Sequence, residues 1–139
     1  MRTTTTKNLR HFLFVCFGLT VATITFAGIS RPPSLPGSPG RPSACDIEAD
    51  WCNLRYKKPI SNGGAKIELY RIEYAQPEVF NWQLEKTDKP QFTYDDIVQS
   101  RVDNRVGLKP VIFRVFAKNV AGIGKASLNS DPITFKNPF

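Results

Sequence analysis

The chain has 139 residues, 19 basic against 12 acidic, and a formal net charge of +7. That length suits one domain of ordinary size. The single histidine is His11, and the basic residues are scattered among acidic ones. The composition therefore excludes a histidine-built metal site and the basic, aromatic-interleaved stripe of a nucleic-acid binder.

The N-terminus reads as a leader. Arg2, Lys7 and Arg10 precede Phe12–Ser30, which carries no charge, and Arg31 follows. A basic start, an apolar middle and small residues at Thr25 and Ala27 make residues 1–30 a secretory signal, cleaved after Ala27, or a retained signal anchor. As a helix the apolar run would span about 28 Å, close to a bilayer core of about 30 Å. Membrane contact is expected only through residues 12–30, if uncleaved, with the remainder outside the cytosol. Without Arg2, Lys7, Arg10 and Arg31, 15 basic residues face 12 acidic ones, about +3.

Residues 31–42, RPPSLPGSPGRP, hold five prolines and two glycines. Each proline lacks a donor and fixes φ, so neither a helix nor a central strand is expected. The segment reads as an extended, semi-rigid linker.

From residue 43 the character changes to short β-branched and aromatic runs between turn residues. SACDIEAD comes first. WCNLRY follows, with Cys52, Leu54 and Tyr56 on one face. If these two runs form a hairpin around Glu48–Ala49, Cys45 and Cys52 sit opposite each other, as a disulfide or as two free thiols. KPISNGG is a turn cluster. AKIELYRIEYA carries apolar residues on both faces, as a central strand does. VFNWQLEK reads as a strand with Phe80, Trp82 and Leu84 along one side, and QFTYDDI as a short one. Val98–Pro110 reads as a long connection. VIFRVFAKN is the strongest strand: Val111, Phe113, Val115 and Ala117 point inward, and Ile112, Arg114, Phe116 and Lys118 outward. PITFK closes the series. Seven strands with regular turn signals predict an all-β, seven-stranded antiparallel immunoglobulin-like β-sandwich.

Specific residues narrow this further. PGSPGRP, KKPISNGGAKI, Tyr70 ahead of IEY, and FRVFAKNVAGIGKAS…SDPITFKNPF occur in order at sandwich spacing. Together they resemble a fibronectin type III domain, of the subtype found in giant muscle proteins such as titin and twitchin. The resemblance covers about Pro36–Phe139, with the domain set at 43–139, and implies a non-catalytic protein-binding fold. Three positions depart from the family. Tyr56 stands where a Trp is usual, Val111 replaces the tyrosine of the corner, and the 98–110 connection is long.

The chemistry-bearing patterns do not assemble into an active centre. AGIGKAS lacks the glycine and the hydroxyl of a phosphate loop, having Asn119 and Ala126 there, and LNSDP then breaks any helix. His11 lies in the leader, so no Ser-His or Cys-His pair is available to the domain. Asp95 and Asp96, adjacent on a strand, would face opposite sides. No catalytic, cofactor-binding or metal-binding residue is expected, nor any sequon for N-glycosylation. Two roles remain. One is a protein-interaction module of adhesion or scaffold type, outside the cytosol. The other is a structural spacer, an intracellular sarcomeric domain or a fragment of a titin- or twitchin-like protein. The candidate partner contacts are Ile112, Phe116, Val120, Ile123, Tyr70 and Tyr74.

Overall fold

The computed structural model describes residues 31–139. The signal-peptide, cleavage-site and membrane-anchor expectations fall on residues 1–30 and lie outside the described residues. Among the described residues no helix is long and apolar enough to cross a membrane.

The strands are β1 (Ser43–Cys45), β2 (Trp51–Lys57), β3 (Leu69–Ala75), β4 (Gln83–Asp88), β5 (Phe92–Tyr94), β6 (Ile97–Asp103), β7 (Ile112–Asn119) and β8 (Gly122–Ile123). They form two four-stranded antiparallel sheets, ordered β1-β2-β6-β5 and β4-β3-β7-β8. The core between them takes alternate residues from each strand. Cys52, Leu54 and Tyr56 come from β2, Val98 and Val102 from β6, Tyr70 and Ile72 from β3, and Phe113, Val115 and Ala117 from β7. Each fully buried aliphatic or aromatic side chain contributes about 1.5–3 kcal/mol. This is the immunoglobulin-like sandwich that the strand pattern predicts.

Three segments differ from expectation. Ile97–Asp103, of which the sequence predicts Val98–Asp103 as part of a connection, is the strand that pairs with β2 over seven positions, Trp51↔Asp103 through Lys57↔Ile97. Its inward residues are Val98, Ser100 and Val102. The serine hides the apolar alternation, and its reason is tertiary: the Tyr56 hydroxyl and Ser100 Oγ lie 2.7 Å apart in a hydrogen bond. PITFK, expected as a strand, keeps only the Val111↔Ile133 bridge. Pro132 has no N–H to give, and the preceding serines substitute side chains for the ladder: Ser130 Oγ accepts from Phe113 N–H and Ser127 Oγ from Val115 N–H, both at 2.9 Å. Phe80 and Trp82 precede β4 rather than lie in it. Glu78 and Phe80 have φ of 72° and 55°, a turn geometry that ends strand pairing.

The expected linker is also built into the domain. Pro33–Phe139 is one compact unit. Pro36, Pro39 and Pro42 are buried, at the three-residue period of a polyproline II helix. The same period governs the donors: Ser34, Gly37 and Gly40 give their N–H groups to the carbonyls of Gly63, Ser61 and Lys57 at 2.8–2.9 Å. One face of the segment buries proline rings, and its non-proline residues donate hydrogen bonds to Lys57 at the end of β2 and to Ser61 and Gly63 in the β2–β3 loop.

Candidate functional site

The glycine-rich turn after β7 is organised by Asn119, whose side chain is fully buried. Its Oδ1 accepts from Ala121 N–H and Gly122 N–H at 2.8 and 3.3 Å. Its Nδ2 donates to the carbonyls of Ser34 and Asn62, both at 2.8 Å. One amide therefore ties the turn to the N-terminal segment and to the β2–β3 loop. A Cβ at Gly124 would collide with the Pro36 carbonyl, so glycine is required there for close backbone approach. The amide N–H groups that a phosphate would need are thus committed to protein acceptors.

Two carboxylates are buried among cations. Glu73 accepts from Arg71 Nε at 2.8 Å and from Arg114 Nε at 2.8 Å. Arg114 in turn lies 4.2 Å over the Trp82 ring and 5.2 Å from Phe116. Glu85 accepts from Arg105 Nε at 2.8 Å and from Asp103 N–H at 2.9 Å. Every carboxylate oxygen in these clusters is engaged, which makes them structural ion pairs rather than free acids or bases. Among the described residues no group of three His, Cys, Asp or Glu is gathered to hold a metal. Asp96 pairs with Lys58 at 3.3 Å.

The candidate contact residues separate into two classes. Tyr70 and Ile112 are buried, at 0% and 5% exposure, and neither stands on an outer sheet face; Tyr70 instead lies on the core side of β3. Ile112 sits opposite Ala75 at the end of the ladder, and a period of two does not encode what covers a strand end. Phe116 is half-buried beside Arg114, and Tyr74 is half-buried with its hydroxyl donating to Gln83 Oε1 at 3.2 Å. Val120 and Ile123 stand exposed on the turn.

Cys45 and Cys52 are free thiols, and the hairpin expected around Glu48–Ala49 has a different register. Cys45 lies opposite Asn53, and Ala44 opposite Leu54. Neighbouring side chains alternate faces, so Cys45 shares the outer face with Asn53 while Cys52 points into the core. A shift of one residue separates the pair. Burial pushes the Cys52 thiol up to about 12, leaving it protonated and inert at neutral pH.

A cleft of about 570 Å³ opens between the β2–β3 loop and the residues around β5. Its walls carry Pro59, Ile60, Ile67, Pro90 and Phe92, with Lys58, Lys66, Ser61 and Asn62 as polar groups, and Tyr70 beneath. Tyr70 Oη is buried and has no hydrogen-bond partner among the described residues. An unsatisfied buried hydroxyl costs about 1–3 kcal/mol. Burial also pushes the Tyr70 phenol up to about 12. This site was missed in the sequence because its polar element is a tyrosine on a core-facing strand position. The available signal was the pair of lysines bracketing the proline-containing loop.

No protein-family model matches the chain. The human slow-type myosin-binding protein C is 26% identical over 99 residues, which is 70% of this chain and 8% of that protein. The chain thus spans less than a tenth of that relative's length. Among solved structures, domains A168–A170 of titin align with a TM-score of 0.67 at 28% identity, over 76% of this chain and 34% of that one. Titin module A71 from human cardiac muscle aligns with a TM-score of 0.56 at 31% identity, over 72% of this chain and 92% of the module.

Proposed function

We propose that the chain is a non-catalytic structural and protein-interaction module of the muscle-protein type, a reading that its fibronectin type III or immunoglobulin-like fold and its likeness to titin domains support. The observation that carries this reading is the similarity to titin module A71 across 92% of that module. Its basis in the molecule is a sandwich whose buried acids are all paired and whose glycine turn is closed by Asn119. Such a domain offers rigid faces and loops and no reacting group. Its free contact positions are Val120 and Ile123 on the β7–β8 turn. The extracellular reading first suggested by the sequence draws on the leader, and the muscle-protein relatives lend it no support.

Fractionation of muscle tissue with an antibody against residues 33–139, followed by sequencing of the mature N-terminus, tests the reading. The expected result is a filament-bound polypeptide. Recovery of a processed chain from the extracellular fluid alone would overturn it.

A further inference from the structure

We propose that the cleft over Tyr70 binds an acidic segment of a partner protein, taking a carboxylate beside an apolar side chain. The proposal rests on the reading of the domain as a protein-interaction module and names the chemistry of one contact.

Charge complementarity selects the occupant. Lys58 and Lys66 both line the cleft, and no acidic residue does. Lys58 is shared with Asp96 at 3.3 Å. Lys66 is exposed and has no carboxylate partner among the described residues. Beneath them the Tyr70 hydroxyl is buried without a partner. Tyr56, its neighbour at 5.2 Å between ring centroids, has its own hydroxyl satisfied by Ser100. Tyr70 is therefore the one of the two that still has a donor to give, and a carboxylate is an acceptor with lone pairs to spare.

The walls explain why the occupant is a peptide rather than a bare anion. Ile60 and Phe92 are largely exposed at the rim, and Pro59 and Pro90 lie beside them. An apolar rim around convergent polar groups is the usual make-up of a binding cleft, and the volume falls in the usual range of about 300–1,000 Å³. The apolar surface rewards a Leu-like neighbour next to the carboxylate, and the lysines steer the acidic chain in. The cleft lies at the same end of the sandwich as the β7–β8 turn, since Asn119 donates to Asn62 there.

The test uses the full chain and fluorescence anisotropy at low salt. The probes are a fluorescein-labelled peptide of alternating Glu and Leu and the same peptide with Gln for Glu. The acidic peptide is expected to bind about 10-fold tighter or more than the neutral one. Lys66→Glu should raise its Kd by about 10-fold. Tyr70→Phe, which keeps the ring and removes only the hydroxyl, should raise it several-fold. Lys109→Glu, at the opposite end of the sandwich, should leave it unchanged. The proposal is overturned if neither peptide binds, if both bind equally, or if Kd ignores Lys66→Glu and Tyr70→Phe. It is equally overturned if isovalerate displaces the peptide at the peptide's own concentration range, which would make this a small-carboxylate site. None of these outcomes touches the module reading, which stands or falls on the fractionation.

Discussion

Tyr56 and Tyr70 occupy facing sheets, pack edge to face with centroids 5.2 Å apart, and are both buried. They nevertheless live in different chemistry. The Tyr56 hydroxyl is hydrogen-bonded to Ser100 at 2.7 Å, inside the β2–β6 sheet. The Tyr70 hydroxyl has no partner and lies under the cleft. Burying a polar atom is inexpensive when the opposing strand supplies its partner and costly when it does not. The difference marks one tyrosine as finished core and the other as core that borders a contact surface.

The largest effect should come from removing the finished tyrosine. Tyr56→Ala deletes a ring at the sheet interface and strands the Ser100 hydroxyl, and is expected to cost about 3–5 kcal/mol in urea unfolding. A loss below about 1 kcal/mol would mean that the ring is not core. Next in size is Ser100→Ala, which leaves the Tyr56 hydroxyl as unpartnered as that of Tyr70. It should cost about 1–3 kcal/mol at unchanged m-value. An unchanged midpoint would show that both hydroxyls find water and would erase the contrast.

The smallest effect at neutral pH belongs to Tyr70→Phe, which removes an unsatisfied group and should leave stability unchanged or slightly raised. Its signature is alkaline. Burial raises the Tyr70 phenol from the ordinary 10 to about 12, and Tyr56 is raised as well. A raised pKa means that the folded state holds a proton that the unfolded state has lost. That contribution is full below pH 10 and disappears as pH rises through about 12. Urea midpoints should therefore fall above pH 10 in the parent chain and fall less steeply in Tyr70→Phe. Identical slopes would show that Tyr70 is already hydrated in the native state.

Much of the sandwich was legible because strand alternation is a local property. Val111, Phe113, Val115 and Ala117 read as core and are core, as do Cys52, Leu54 and Tyr56. The turn at Asn62–Gly63–Gly64 was legible too, since its glycines take φ of 75° and 89°, where side chains are disfavoured. The candidate site was hardly legible. Tyr70 was singled out as a contact residue but is buried, and the two lysines of the cleft were not singled out at all.

By itself the sequence determined the fold class and the position of the strongest strands, since these depend on periodicity and residue type. Only the tertiary structure decided which polar groups meet. It brought Ser100 to Tyr56 across 44 residues and left Tyr70 without an equivalent. It set the β1–β2 register that parts Cys45 from Cys52, and hydrogen-bonded Ser34, Gly37 and Gly40 of the proline-rich segment to the end of β2 and the loop after it. The reason is physical. Alternation says which side of a strand faces inward, whereas a hydrogen bond across 44 residues exists only once both sheets have closed.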